Sequence, residues 1–587
     1  MPLIQNFARQ AESEGRLRDA EHWIEILYDR SATPSLKAAQ TIRLARLRAS
    51  AGDVSGANTA LTRLANESPT LKLPNGQTIE QLLTTVRSEI AKKSPTDALA
   101  YSLEKIDLQR FPMNYSAQIL RGIEPQSRMP SYYEQLRTVA MFENNTNSAE
   151  RLMFHDSNTG KLLWNVPLRT KQTQQTPSIM RLAGNVLVVL NGNALHALSL
   201  PDRRVLWTVP VETAENIFNG IDEFDGGPIT AEENDYNLQR SEALVGYELF
   251  VKRLKGQSRF RQIPTAPITL IANDDYVAYR VRETLYVYDA RTGTFRWKLD
   301  RIPSKTSIAG TESLLFAIDT ASNTATAYRP ISGRKLTTPP YAPKLANMLY
   351  ADGDIAVVAL PQLASGAKGL AIEAIETRSG KFAWRHEFSA TVRVGRLGDD
   401  ELVLFDPAGE ASFLSLWDGK ITKSESIPAN LRLTRTTQFA FRDRERVYLQ
   451  LSGRSQQWLY GELSILPVNG PLLAFDRSTG KKLWDIDVSN HNLLLSDVTA
   501  SPVLISLHRA PTAPFNGFGN EFKLLVIDKK TGKRVLDQTE TLNDFNFRSV
   551  LWNHEAQHID MLTYNQRLRL KLKTREQSPV VPLPEDR

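Results

Sequence analysis

Residues 552–562, WNHEAQHIDML, contain two histidines and a glutamate in the spacing H-E-x-x-H: His554, Glu555 and His558. On a helix, this spacing places both imidazoles on one face, where they can bind zinc while the glutamate activates a water molecule. The motif therefore raises the hypothesis of a zinc hydrolase. It has this meaning only in a helical segment, so the surrounding elements decide between the interpretations.

A second candidate site lies in residues 213–262, which begin acidic and end basic. Three acidic residues precede a Gly-Gly pair, a composition that suits calcium, but their order departs from the D-x-[DN]-x-[DN]-G template. Long loops on rigid scaffolds often carry recognition, so we predict that this segment contacts a protein partner. The predicted contact residues are Asp222, Glu223, Asp225, Arg259 and Arg261.

Composition limits the classes of function. The 587 residues are 41% hydrophobic and 23% charged, which is typical of a globular protein with more than one folded unit. The net charge of +7 is small for this length, so nucleic acid is not predicted as a partner. The absence of cysteine excludes disulfides, thiolate zinc sites and cysteine nucleophiles. Neither a membrane span nor a secretion signal is expected in the given chain.

From residue 150 onward a short pattern repeats. Four copies are clear: FHDSNTGKLLW (154–164), VYDARTGTFRW (287–297), AIETRSGKFAW (374–384) and AFDRSTGKKLW (474–484). A fifth copy at 526–536 lacks the final tryptophan, and weaker copies stand at 198–207, 327–336 and 413–422. We call the turn residue of each copy its anchor. The anchors are Gly160, Arg203, Gly293, Gly333, Gly380, Gly419, Gly480 and Gly532.

Each position of the repeat has a physical reason. An apolar strand ends at an aspartate, whose carboxylate can accept backbone N–H groups in an Asx turn. The glycine reverses the chain because it adopts positive φ at no steric cost. The next strand carries a tryptophan four residues after the glycine, large enough to pack against a neighbouring sheet. The predicted sheet-docking residues are Asp156, Gly160, Trp164, Trp207, Asp289, Gly293, Trp297, Gly380, Trp384, Asp476, Gly480, Trp484, Asp528 and Gly532.

Four short strands per 40–50 residues are typical of a β-propeller blade. The D-x-x-T-G-K-x-x-W core of residues 156–164 and 476–484 resembles the tryptophan-docking repeat of PQQ-like (quinoprotein alcohol dehydrogenase-like) propellers, a family that includes outer-membrane protein assembly factor B. The resemblance covers residues 136–575 and implies a mainly β fold. It predicts an eight-bladed propeller, with seven blades as the alternative.

The resemblance also implies two kinds of function. The quinone-dependent dehydrogenases of this family resemble one another in a vicinal disulfide over the cofactor and in a calcium ion held by acidic and amide side chains. This chain has no cysteine, and no motif matches the calcium ligands, so we predict no cofactor. A noncatalytic protein-binding scaffold in a bacterial cell envelope is the preferred prediction. A PQQ-dependent dehydrogenase-like enzyme is the alternative.

The C-terminal pattern bears on the H-E-x-x-H motif. Residues 567–573 alternate strictly between basic and leucine residues, which predicts a strand. C-terminal strands commonly complete the first blade of a propeller, here beside RTVAMF (137–142). His554 and His558 would then lie in or beside an exposed loop between strands. Glu576, 18 residues after His558, keeps the zinc hypothesis open as a third ligand.

The first hundred residues follow another pattern. Residues 8–30 and 45–67 share one pattern of small and apolar residues. The equivalent glycines, Gly15 and Gly52, are separated by 37 positions, and a proline such as Pro34 follows each unit. This pattern resembles tetratricopeptide-type (TPR-like) helical hairpins, and a plain helical bundle is the alternative. Since such arrays need about three repeats for stability, the chain as given is consistent with part of a longer protein.

These observations predict one order of domains along the chain. The predicted order is TPR-like helical repeats at 1–95 with a third helix near 79–90, connecting helices and a linker at 96–135, the propeller at 136–575 with its insertion at 213–262, and an extended tail at 576–587.

Overall fold

The protein is described by a computed structural model. The described residues are 2–13, 20, 23–24, 26–28, 30–50, 60–61, 64, 78, 81, 84–85, 88, 102–112, 118–122, 136–143, 151–156, 162–168, 179–183, 186–191, 194–200, 202–211, 244–254, 269–273, 275–281, 283–303, 306–398, 400–406, 408–416, 418–427, 437–443, 445–452, 465–495, 501–509, 521–541, 547, 549–553, 557–563 and 566–575.

Among the described N-terminal residues, two helices have defined bounds, α1 (Pro2–Ser13) and α2 (Pro34–Ser50). Pro34 is the first residue of α2, where its missing N–H costs no helical hydrogen bond. Apolar side chains of both helices and of residues 20–27 form one buried cluster. Arg43 also forms a bidentate ion pair with Glu12, at 2.8 and 2.9 Å. The TPR assignment stays a prediction, because most of the second unit lies outside the described residues.

The strands begin with β1 (Ser102–Pro112). Sheet I contains β2 (Gln118–Gly122), β3 (Leu136–Glu143), β4 (Arg151–Asp156) and β5 (Leu162–Pro167). Sheet II contains β6 (Ile179–Ala183), β7 (Val186–Asn191), β8 (Ala194–Ser199) and β9 (Arg204–Pro210). The insertion contributes β10 (Val245–Gly246) and α3 (Tyr247–Leu254). Sheet III contains β11 (Thr269–Ala272), β12 (Tyr276–Val281), β13 (Thr284–Asp289) and β14 (Phe295–Leu299). Sheet IV contains β15 (Thr306–Gly310), β16 (Leu315–Asp319), β17 (Thr324–Tyr328) and β18 (Lys335–Leu336).

A short 3₁₀ helix (Ala342–Asn347) leads into sheet V, which contains β19 (Met348–Asp352), β20 (Ile355–Gln362), β21 (Lys368–Glu376) and β22 (Phe382–Phe388). Sheet VI contains β10, β23 (Arg393–Arg396), β24 (Glu401–Asp406), β25 (Glu410–Ser415) and β26 (Ile421–Lys423). Sheet VII contains β27 (Thr437–Arg442), β28 (Arg446–Ser452), β29 (Ile465–Asp476), β30 (Lys482–Leu494), β31 (Val503–Arg509), β32 (Glu521–Asp528) and β33 (Arg534–Thr541). Sheet VIII contains β34 (Ser549–Asn553), β35 (His558–Leu562), β36 (Gln566–Arg575) and β1.

The sheets follow one another around a ring, as in a β-propeller. Each of seven buried apolar clusters joins a successive pair of sheets, from I and II through to VII and VIII. The first strands of neighbouring sheets contact one another: β6 with β11, β11 with β15, and β23 with β27. A contact between β34 and β2 brings sheet VIII back to sheet I. The first strands therefore form the inner edge of the ring, and the strands after the anchors form its outer edge.

Sheet VIII closes the ring with strands from both ends of the propeller. The alternating C-terminal segment is a strand, as predicted, and β36 pairs antiparallel with β1 from Ser102↔Arg575 to Pro112↔Gln566. The predicted partner, residues 137–142, is wrong, because β3 pairs with β2 and β4 instead. The interpretation of 96–135 as connecting helices is likewise wrong over 102–112 and 118–122, which are strands.

The number of blades stays a prediction. Among the described residues the strands form eight sheets, but sheet VII has seven strands and carries two anchors, Gly480 and Gly532. Sheet VIII carries none. Within the described part of the chain, no helix is both long and apolar enough to cross a membrane.

Candidate functional site

His558 of the H-E-x-x-H motif lies in a strand. It is the first residue of β35 and pairs with Asn553 of β34. Its side chain is only 8% exposed, and its Nε2 lies 3.5 Å from Asp560 Oδ2. The predicted position beside the connection between two strands is therefore confirmed, and the helix that the zinc motif needs is absent at His558. The expected exposure is wrong, because the side chain is buried. The remaining members of the zinc hypothesis lie outside the described residues: His554, Glu555 and Glu576.

The predicted partner-contact segment is described only over residues 244–254. The described part starts with Leu244, β10 and α3. The charged candidates lie outside the described residues, so their role stays a prediction: Asp222, Glu223, Asp225, Arg259 and Arg261.

The described part of the insertion is bound to the first strands of two sheets. Val245 and Gly246 pair antiparallel with Val394 and Arg393 of β23 in sheet VI. The Leu244 N–H donates to the Gln438 carbonyl of β27 in sheet VII, at 2.8 Å. In the sequence these residues lie between sheets II and III, yet the hydrogen bonds of residues 244–246 go to sheets VI and VII.

Helix α3 buries one face against sheets V and VI. Tyr247, Phe250 and Val251 are 3–6% exposed and share an apolar cluster with Leu370 and Val394. The spacing i, i+3, i+4 is that of one helical face. This contact was not predicted, although the same spacing in YELFVKRL is typical of an amphipathic helix.

The anchor turns have the geometry that the repeat requires. Asp289 Oδ1 accepts the backbone N–H groups two and three residues on, both at 2.9 Å, and its carbonyl accepts the Gly293 N–H at 2.9 Å. Gly293 has a φ of +69°. In the turns 476–480 and 528–532 the glycine also has positive φ and donates its N–H to the aspartate carbonyl, at 2.8 Å. Arg203 adopts the same backbone conformation, with a φ of +55°, without being glycine.

Tryptophans of one sheet pack on the anchor of the next. A Cβ placed on Gly293 would lie 2.7 Å from Cδ2 of Trp207, so the indole needs the space that glycine leaves. The Trp207 indole N–H donates to the Ala290 carbonyl at 2.8 Å. The same packing joins Trp297 with Gly333 and Trp384 with Gly419. Within sheet VII it joins Trp484 of the first repeat with Gly532 of the second.

The first copy of the repeat is partly described. Trp164 stacks on Phe154 of its own sheet, with ring centroids 3.9 Å apart. Gly160 and the side chain of Asp156 lie outside the described residues.

Sheets IV and VI and the second repeat of sheet VII lack a tryptophan at this position. In sheets IV and VI other groups take its place. Sheet IV has Thr337 there, and the ring of Tyr341 packs on Gly380, with a Cβ–Cδ1 distance of 3.3 Å. Sheet VI has Lys423, whose backbone carbonyl packs directly on Gly480, with its carbon 2.7 Å from an added Cβ. Glycine at the anchor thus serves two purposes, turn conformation and close approach of the preceding sheet.

A buried ionic cluster joins the two repeats of sheet VII. Asp443 and Lys529 are 5% and 3% exposed, and their charged atoms Oδ2 and Nζ lie 3.4 Å apart. The Tyr448 hydroxyl donates to Asp443 Oδ2 at 2.6 Å. Burial alone would raise the pKa of the Asp443 carboxyl, but Lys529, Tyr448 and Arg446 hold that pKa below its ordinary value. The ionised form is therefore the one that the fold stabilises.

We expect Asp443→Asn to lower the free energy of unfolding by about 2 kcal/mol at neutral pH, because Lys529 loses its buried counter-charge. The contribution of the carboxylate is present above its unfolded-state pKa, near 3.8, and is lost as the pH falls through the lower folded-state pKa. The difference in unfolding free energy between wild type and variant should therefore become smaller below about pH 4. Chemical denaturation at pH 7, 5 and 3 measures this difference. A difference that stays constant with pH would contradict the stabilising role of the ionised Asp443 carboxylate.

The quinone and calcium site of the dehydrogenases does not fit the residues that are described. Within these residues no group of three or more His, Asp or Glu side chains could hold a metal ion. The chain has no cysteine for a disulfide over the cofactor. The first strand of sheet VI, on the inner edge of the ring, is covered by residues 244–246 of the chain itself.

Comparison with protein families identifies one matching model. The model described as outer membrane protein assembly factor BamB matches residues 148–300 and 281–554. No curated protein matches the chain.

Solved structures with similar folds include proteins of different activities. BamB from Moraxella catarrhalis is 11% identical, with a TM-score of 0.30, over 81% of this chain and 99% of its own. The WD40 domain of SCAP from fission yeast is 7% identical, with a TM-score of 0.33, over 79% and 98%. A europium-containing methanol dehydrogenase is 11% identical, with a TM-score of 0.26, over 65% and 81%. At these identities and scores, the likenesses do not bear on function.

Proposed function

Because the chain belongs to the outer membrane protein assembly factor BamB family, as the match over residues 148–554 shows, we propose that it is a noncatalytic protein-binding scaffold. The family description concerns assembly at an outer membrane, and the corresponding setting for this chain is a bacterial cell envelope. The predicted TPR-like region would add a second protein-binding surface.

The observation that carries this proposal is the anchoring of the insertion. Residues 244–254 are fixed to sheets V, VI and VII by hydrogen bonds and by a buried apolar face. The insertion carries seven acidic and no basic residues at 213–235, before this fixed segment. It carries five basic residues at 251–262, three of them after residue 254. A long charged loop that is fixed on a rigid scaffold is a typical recognition element.

We predict that neutralising the insertion releases the protein partner without loosening the propeller. The variant carries Asp222→Asn, Glu223→Gln, Asp225→Asn, Arg259→Gln and Arg261→Gln. Charged contacts at an interface contribute to both encounter and specificity, so binding should fall by about tenfold or more. Affinity capture from envelope extracts of the source organism, with quantitative mass spectrometry, measures the loss.

A matched control neutralises three acidic and two basic residues that are exposed elsewhere on the propeller. These are Asp300, Glu410, Glu521, Lys298 and Lys423. The control should capture the same partners as the wild type. If both variants capture the wild-type set, the insertion is not the contact surface. If wild type captures no protein above background, the scaffold proposal fails.

A further inference from the structure

The described part of the insertion lies on the far side of the ring from its own attachment points. The chain leaves sheet II at residue 211 and enters sheet III at Thr269. Residues 244–254 nevertheless bind sheets V, VI and VII, which come later around the ring. Residues 244–254 therefore contact sheets that are not the sequence neighbours of the insertion.

The strand order places this contact on the inner edge. In sheet VI, β10 pairs with β23, at the opposite edge from β26, which follows the anchor Gly419. First strands such as β23 and β27 contact each other around the axis. An inner edge strand has backbone N–H and C=O groups that no further strand of its sheet can pair, which makes it a site for strand addition.

Apolar side chains fix the added strand at both ends. Leu244 is 2% exposed, lies 3.4 Å from the Cβ position of Gly395, and belongs to the apolar cluster of sheets VI and VII. At the other end, Phe250 of α3 is buried between sheets V and VI. Leu249, on the opposite face of α3, is 37% exposed. The segment thus has a binding face and a solvent face, as a peptide ligand has.

We propose that residues 244–254 act as an intrachain strap, a built-in peptide ligand that adds a strand to the inner edge of sheet VI and bridges sheets V, VI and VII. The strand pairing fixes its direction, and the side chains of Leu244, Tyr247, Phe250 and Val251 fill the apolar sites. The inner edge of sheets VI and VII is thus a binding site for an extended segment with a leucine just before the strand and an amphipathic helix just after it. This proposal does not depend on an external partner.

The test compares hydrogen exchange in full-length variants. Leu244→Asp combined with Phe250→Asp places charge in the buried sites, whereas Leu249→Asp places it on the solvent face. In the double variant we expect amides of β23 and β27 to exchange at least about tenfold faster, with β7 of sheet II unchanged. Leu249→Asp should match the wild type. Equal amide exchange rates in β23 and β27 of all three proteins would overturn the proposed strap.

A peptide experiment tests whether the strap is a separable ligand. A chain in which a Gly-Ser linker replaces residues 213–262 is mixed with a synthetic peptide of residues 241–256, SEALVGYELFVKRLKG. The peptide should restore slow exchange to β23 and β27, and a peptide carrying Leu244→Asp and Phe250→Asp should not. Equal protection by both peptides, or by neither while the linker variant is folded, would refute the proposal. If the linker variant does not fold, the full-length comparison alone decides.

Discussion

Gly480→Ala is expected to lower the free energy of unfolding by more than about 4 kcal/mol, which is large for a single methyl group. Two costs combine at this anchor. The φ of +72° is unfavourable for alanine by about 1–2 kcal/mol. The new Cβ would also collide with the backbone carbonyl of Lys423, which cannot rotate away as a side chain can. Chemical denaturation of the purified variant measures the sum.

Gly366 provides a matched control that isolates the conformational cost. It has a φ of +81°, and the nearest atom to its Cβ position is the Gln362 Nε2, at 3.7 Å. Gly366→Ala should therefore cost only about 1–2 kcal/mol. Asparagine tolerates positive φ, so Gly366→Asn should be nearly neutral while Gly480→Asn stays strongly destabilised. Equal effects at the two glycines would show that sheets VI and VII do not approach as closely as described.

The repeat was predictable because its signals are local. The turn at Asp289 and Gly293 is determined by residues within five positions of each other, and its hydrogen bonds are those that an Asx turn and a positive φ require. A tryptophan four residues later then has one direction in which to pack. Local signals of this kind identify the propeller fold without any knowledge of which sheets are neighbours.

The closing sheet was only half predictable, because its pairing is not local. The alternation in 567–573 predicts β36 correctly, but nothing within the segment identifies its partner. The actual partner, β1, lies more than 450 residues earlier in the chain, in SLEKIDLQRFP, whose apolar residues fit neither a strict two-residue period nor a helical one. The segment 137–142 alternates no better.

For the insertion, the sequence shows the pattern of the contacting residues but does not identify the sheets that they contact. The charge and length of the insertion predict a recognition loop, with Asp222 and its neighbours as the contact residues. The residues that bind the propeller are the apolar ones, Leu244, Tyr247 and Phe250. Their helical spacing was visible in the sequence. Which sheets they bind was not, because the contact is made with the inner strand of a sheet almost 150 residues further along the chain.

Replacing the docked tryptophan of sheet VII is also expected to lower the free energy of unfolding strongly. We expect Trp484→Ala to cost about 3–5 kcal/mol, since the side chain is 8% exposed, packs on Gly532 and lies with its ring 5.8 Å from that of Tyr448. Trp484→Phe keeps much of the apolar contact but removes the indole N–H that donates to the Lys529 carbonyl at 2.8 Å. Chemical denaturation should show a smaller loss of unfolding free energy for Trp484→Phe than for Trp484→Ala.

Trp384 provides the matched comparison for the hydrogen bond. It packs on Gly419 in the same way, but its indole N–H has no acceptor among the described residues. Trp484→Phe should therefore cost about 1 kcal/mol more than Trp384→Phe, the usual net contribution of one hydrogen bond. In the two alanine variants the loss of ring packing dominates the loss of unfolding free energy. The hydrogen bond should therefore account for a smaller fraction of that loss in the alanine variants than in the phenylalanine variants. A larger loss at Trp384→Phe would mean that the indole hydrogen bond does not contribute to holding neighbouring blades together.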